Sequence, residues 1–122
     1  MEERTRIGFI VTHSSDDPER ATLPFMIAAV APTMNAEPVF VLQAEGVHLA
    51  VNGFAGTVAA DGLPALEDLL AMQIAAAAQI MVCSPCLATR GIAEEDLRDG
   101  VFIGGAAKVV EMLKECVNVV TY

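Results

Sequence analysis

Arg6-Ile7-Gly8-Phe9-Ile10-Val11-Thr12-His13-Ser14-Ser15-Asp16-Asp17-Pro18-Glu19 is the stretch whose pattern sets the fold class. Arg6 to Val11 is a nearly continuous apolar run, the signature of a strand buried on both faces. Thr12 to Ser15 is polar and reads as a loop. Asp17-Pro18-Glu19 then opens a helix: Asp supplies an N-cap oxygen, Pro suits the first helical position, and an acid sits at the positive end of the dipole. A doubly buried strand passing through a short loop into a helix is the building unit of a parallel sheet.

The rest of the chain repeats that unit. The helix is expected to run to about Met34, with a bend at Pro24, and a second strand covers Glu37 to Gln43, with Pro38 tolerated near its start. Glu45 to Phe54 reads either as a short helix or as an edge strand, and Gly46, Gly53 and Gly56 favour an irregular connection. Asp61-Gly62-Leu63-Pro64 opens a helix to Ala77 with Leu66, Leu69, Leu70, Met72 and Ile74 as its core positions. Gln79 to Cys83 is a third buried strand, and a short helix after Cys86 runs to about Arg90, closed by Gly91. Val101 to Ile103, Ala106 to Glu115 and Val117 to Thr121 complete the pattern as strand, helix and strand. The alternation gives an α/β fold in which helices cover both faces of a parallel sheet. The 122 residues, without repeat or linker, fit one domain over 1–122.

Composition narrows the function. Seven basic residues against 16 acidic ones give a net charge of −9, so the chain lacks the cations that displace counterions from nucleic acid. The same balance disfavours an anionic membrane surface. Hydrophobic residues make up 54% of the chain, yet Gln79, Pro24 and the glycines break every apolar stretch before it reaches the ~20 residues of a membrane span. Met1-Glu2-Glu3-Arg4 lacks the features of a secretory leader, and a cytoplasmic location is expected. Three cysteines do not make a disulfide framework, and in a reducing compartment they are buried, metal-bound or reactive. No G-x-x-x-x-G-K-[ST] or G-x-G-x-x-G motif occurs, so nucleotide chemistry has no support and no cofactor is expected.

Chemistry in such sheets gathers at the carboxyl ends of the strands, where the loops begin at His13, Ala44, Cys83 and Gly104. The third of these stands out: Met81-Val82-Cys83-Ser84-Pro85-Cys86-Leu87-Ala88-Thr89-Arg90-Gly91. A cysteine at a strand end with Pro85 placed to begin a helix can receive backbone N–H groups and the helix dipole, which lowers its thiol pKa and favours the nucleophilic thiolate. Cys86 stands at the spacing from which a second sulfur can close a disulfide. The alternative is that both sulfurs are small hydrophobes packed in a core. A structural zinc site needs four ligands and no second C-x-x-C exists, so no metal is expected. Cys116 reads as core. His13, on the same rim, either assists a thiol or is a hydrogen-bonded loop histidine. Arg90 either neutralises an anionic sulfur or caps the helix C-terminus. Gly104-Gly105 reads as a tight turn and Glu94-Glu95-Asp96 as a solvated face.

The opening Thr12-His13-Ser14-Ser15-Asp16-Asp17-Pro18-Glu19-Arg20-Ala21, the segment Ala44-Glu45-Gly46-Val47-His48-Leu49-Ala50, the cysteine loop closing on Ala88-Thr89-Arg90-Gly91-Ile92, and Asp99-Gly100-Val101-Phe102-Ile103-Gly104-Gly105-Ala106 follow one another in an order that resembles the DsrE/DsrF-like family, with its TusD-related sulfur-relay subunits. The resemblance spans nearly the whole chain. It implies a three-layer α/β/α domain on a five-stranded parallel sheet of order 4-3-2-1-5, assembled as homo- or hetero-oligomeric trimers or hexamers. It also implies a persulfide-accepting cysteine eight residues before the Gly of the Arg-Gly pair, which falls on Cys83, with sulfur-donor and sulfur-acceptor proteins as partners, a TusA-like carrier among them. Cys86 departs from the relay subunits and admits a thiol–disulfide role. Three readings therefore stand: a sulfurtransferase-like carrier with Cys83 as acceptor, a redox protein using Cys83 and Cys86, and a non-enzymatic oligomeric binding domain with structural thiols.

Overall fold

The computed structural model describes residues 4–122; the opening Met1-Glu2-Glu3, on which the expectation about a leader rests, lies outside the described residues. Five strands form the sheet: β1 (Thr5–Val11), β2 (Ala36–Leu42), β3 (Gln79–Cys83), β4 (Phe102–Gly104) and β5 (Asn118–Thr121). All neighbouring pairs are parallel, and the order is β4-β3-β2-β1-β5. The helices are α1 (Pro18–Ala28), α2 (Leu66–Ala75), α3 (Ser84–Thr89) and α4 (Ala106–Leu113).

Side chains alternate across the sheet, and the alternation builds two unequal cores. Phe9 and Val11 of β1, Phe40 and Leu42 of β2, and Ile80 and Val82 of β3 face α1 and α2, whose Ala21, Phe25, Leu66 and Leu70 close over them. Phe40 is central: its ring stacks on Phe9 with centroids 5.6 Å apart and on Phe25 at 4.9 Å. Val39, Val41 and Met81 point the other way and meet Met112 of α4, with Cys116 packed alongside. Helices thus cover both faces, giving three layers. Among the described residues, no helix is long and apolar enough to cross a membrane.

The strands lie close to their expected places, whereas the helix ends differ. α1 stops at Ala28, and a separate 3₁₀ helix covers Ala31–Met34. Pro32 explains the break, because it has no N–H to give and its ring would strike the carbonyl of Ala28 in a continuing helix. α2 ends at Ala75 rather than Ala77, since Ala77 takes the left-handed conformation at φ 58° and its N–H returns to Ile74 while that of Ala78 returns to Gln73. Leu66, Leu69 and Leu70 are buried as expected, but Met72 is 51% exposed and Gln73 is buried in its place. The ambiguous Glu45 to Phe54 region resolves as a 3₁₀ helix, Ala44–Ala50, followed by a turn in which Val51 makes an isolated antiparallel bridge to Leu97. Arg98 anchors this region to α2 by a two-pronged pair with Glu67, at 2.7 and 2.9 Å.

Candidate functional site

β3 runs into α3 without a loop, and that places the two cysteines. Cys83 is the last residue of β3 and the N-cap of α3, while Cys86 lies inside the first turn, so the helix begins earlier than the spacing indicates. Pro85 fits there because the first-turn N–H groups have no helical partner in any case. The far end is closed by Gly91, in the left-handed region at φ 65°: its N–H bonds the carbonyl of Ala88, and that of Ile92 bonds Leu87. This is the paired termination that glycine supports without a Cβ penalty. Leu87 is buried in the larger core and fixes the face that α3 turns inward.

The two sulfurs are neighbours. Cys83 and Cys86 are both free and partly buried, close together where β3 passes into the first turn of α3. Burial pushes the Cys83 thiol above its ordinary value, the adjoining Cys86 sulfur adds to that, and the Cys86 backbone N–H and the Arg90 charge act in the opposite direction without overcoming it. The expected lowering is therefore reversed. The six-residue α3 carries little aligned dipole, and withdrawal from water outweighs it. Cys116 sits far from the rim, donates its S–H to the Met112 carbonyl at 3.4 Å, and is likewise pushed up by burial.

A raised thiol holds its proton through neutral pH, so the thiolate appears only as pH climbs past the raised value. Native-state alkylation of Cys83 should accordingly rise at more alkaline pH than in the urea-unfolded chain, whose cysteines titrate near the ordinary value of about 8.5. Peptide mapping of labelled protein across pH measures this. A native midpoint at or below the unfolded one would show that burial does not govern Cys83.

Arg90 is the C-cap residue of α3. Its Nη1 donates to the Cys86 carbonyl at 3.2 Å, serving the helix end, and its charge bears on Cys83. Its Nε is engaged by Glu45 at 2.7 Å. Glu45 lies in the first turn of the 3₁₀ helix within the loop that follows β2, as does Ala44, whose backbone N–H donates to Cys86 Sγ at 3.3 Å. Neither Ala44 nor Glu45 is singled out by residue type; their signals in the sequence are their place at the carboxyl end of a buried strand and their membership of the segment Ala44 to Ala50 that carries the family resemblance. His13 does not join the cysteines. Its Nδ1 lies 2.6 Å from Asp16 Oδ2, within its own loop, and β2 stands between its strand and β3. His48 faces its own 3₁₀ helix, with Nδ1 3.1 Å from the Glu45 carbonyl and its ring stacked on Phe54. Among the described residues, no group of three or more His, Cys, Asp or Glu side chains is placed to hold a metal ion.

The fold and rim define a doubly covered parallel α/β domain with a dithiol at the carboxyl end of its third strand. The chain belongs to the DsrE/DsrF-like family, which matches residues 5–122 and is linked to sulfur relay. Two uncharacterized proteins of Methanocaldococcus jannaschii are similar: MJ0760, 33% identical over 108 residues, and MJ0989, 30% identical over 113. An uncharacterized protein of Methanopyrus kandleri, MK0008, is 28% identical over 116 residues. The matches take in 88%, 93% and 95% of this chain for MJ0760, MJ0989 and MK0008. This chain spans 39% of the length of MJ0760, but 96% of MJ0989 and 93% of MK0008. Among solved structures, Escherichia coli YchN superposes with a TM-score of 0.69 at 18% identity, covering 99% of this chain and 100% of that one. MTH1491 of Methanobacterium thermoautotrophicum, a protein of unknown function, gives 0.69 at 17%, covering 97% and 99%. These establish the shared fold.

Proposed function

We propose that this protein is a cytoplasmic sulfur-relay carrier that accepts sulfane sulfur as a persulfide on Cys83 and passes it to a partner protein thiol. The observation that carries this reading is the pair of adjoining sulfurs at the end of β3, in a chain of the DsrE/DsrF-like family. Cys83 thiolate attacks the outer sulfur of a donor persulfide, the donor leaves as a thiolate, and an acceptor thiolate later takes the sulfur by the same displacement. No cofactor takes part. The donor and acceptor are proteins bearing reactive thiols, a TusA-like carrier being one candidate.

A second reading follows from the same pair. Adjoining cysteines can also close a disulfide, which makes the protein a thiol–disulfide redox partner. The two are separated by intact-mass spectrometry after polysulfide treatment. A carrier gains the mass of one sulfur atom on Cys83, and a redox protein loses two hydrogens as Cys83 and Cys86 join. A binding domain with structural thiols does neither.

Assembly is part of the proposal. Among the described residues β5 is an edge strand paired to β1 alone, and its four residues are all exposed. Beside it an apolar groove is lined by Ile27, Val30 and Met34 from the α1 side and by Val120 of the strand and Tyr122 just after it. An exposed edge next to apolar side chains invites cover, and a further copy of the chain supplies it in a homotrimer or hexamer. Light scattering at micromolar concentration should give the mass of three or six chains; a monomer would remove this part of the proposal.

A further inference from the structure

Cys86 is held by more than its own helix. The loop after β2 reaches it along two routes. Ala44 donates its N–H to Cys86 Sγ at 3.3 Å, while Glu45 holds the Arg90 guanidinium, which in turn donates to the Cys86 carbonyl. Ala44 does so from the left-handed region, at φ 49°. A residue with a Cβ is disfavoured there and stays only where its surroundings fix it. The Glu45–Arg90 pair is 44% and 24% exposed at its two ends. Pairs so placed add little to stability. The loop therefore gains little stability from these contacts. What they do fix is the position of Cys86 Sγ beside Cys83.

We propose that Ala44, Glu45 and Arg90 form a clasp that positions Cys86 Sγ for closure onto Cys83, so that the loop after β2 sets how fast a sulfur loaded on Cys83 is released as sulfide. The release step rests on the carrier reading above; the positioning does not. In that step Cys86, as thiolate, attacks the inner sulfur of the Cys83 persulfide. A bond forms between the two cysteine sulfurs, the bond to the outer sulfur breaks, and the outer sulfur leaves with the electron pair as hydrosulfide. The Cys86 proton passes to solvent. The sulfane sulfur is reduced and the two cysteines are oxidised to a disulfide, which an external dithiol reopens by exchange. Glu45 and Arg90 are positioning residues, acting through the geometry of Cys86.

The test compares Glu45→Ala with Glu45→Gln in the full chain, since the amide keeps an oxygen for Arg90 Nε. The first readout is the Cys83–Cys86 thiol–disulfide equilibrium in a glutathione redox buffer, with no polysulfide present. Glu45→Ala should make closure about tenfold less favourable, a shift of about 30 mV toward easier reduction, and Glu45→Gln should restore most of it. The second is the ratio of sulfide release to sulfur loading after polysulfide, which should fall by a similar factor in the alanine variant. An equilibrium that neither substitution moves, or that both move equally, overturns the clasp. If the parent protein takes up no sulfur while its disulfide equilibrium still shifts with Glu45→Ala, the carrier reading fails and the clasp stands.

Discussion

Intact-mass spectra of Cys83→Ser protein after polysulfide are expected to show no added sulfur, whereas Cys86→Ser should keep its adduct at least about ten times longer than the parent. The asymmetry follows from the roles given to the two sulfurs. On the proposed roles, Cys83→Ser leaves at the rim only Cys86, the resolving thiol, and Cys116 is withdrawn, with its S–H on the Met112 carbonyl and its thiol pushed up by burial. Without Cys86 the persulfide loses its nearest competing thiol, a group whose intramolecular placement is worth orders of magnitude in effective concentration. A serine at Cys83 is close in size to the native residue, so loss of loading would not reflect loss of fold; unchanged circular dichroism checks that. Because burial raises the Cys83 thiol, loading of the parent should accelerate as pH rises through the neutral and mildly alkaline range. Loading that survives in Cys83→Ser but is lost in Cys86→Ser would exchange the two roles, and dependence of turnover on both sulfurs would favour the redox reading.

The strands were legible because burial on both faces leaves a simple trace: Arg6 to Val11 and Gln79 to Cys83 are short apolar runs bounded by polar residues. Helix ends were less so. Ala77 adopts a conformation that usually announces itself with glycine, and Pro32 breaks α1 at a point where apolar residues on either side suggest continuity. The sheet order came from the family resemblance, since nothing local to Val117 to Thr121 says that β5 pairs with β1. At the site, the spacing of Cys83 and Cys86 was enough to bring them together. The direction of the Cys83 shift was not, because it depends on how deeply the strand end is buried and how short α3 is. Ala44 and Glu45 lay beyond reach for a different reason. They meet Cys86 and Arg90 across 42 and 45 residues of chain, and one of the contacts is made by a backbone N–H that any residue but proline carries.

The clasp also depends on a glycine, and Gly46→Ala should be the most disruptive conservative change in the loop. A Cβ at Gly46 would stand 2.1 Å from the Val11 carbonyl oxygen and 2.8 Å from its carbon, with Thr12 N at 3.3 Å. All three are backbone atoms at the end of β1, where no side chain can swing aside. The loop cannot slide past them freely either, because Gln43 N–H bonds that same Val11 oxygen at 3.0 Å and Gly46 N–H bonds Gln43 at 2.8 Å. The methyl group must lift the loop or prise open the junction of β1 and β2. Overpacking of this kind is expected to destabilise the fold by about 3 kcal/mol, lowering Tm by roughly 10 °C. Gly56→Ala is the control, since a Cβ there meets nothing within 4 Å and its backbone is not left-handed, so its effect should lie within about 1 kcal/mol. Thermal unfolding of the two variants makes the comparison, and equal melting temperatures would show that the close approach at Val11 does not constrain the loop. At temperatures where Gly46→Ala remains folded, lifting the loop also carries Ala44 away from Cys86 and Glu45 away from Arg90. Its Cys83–Cys86 equilibrium should then shift further than that of Glu45→Ala, because both routes to Cys86 are broken rather than one.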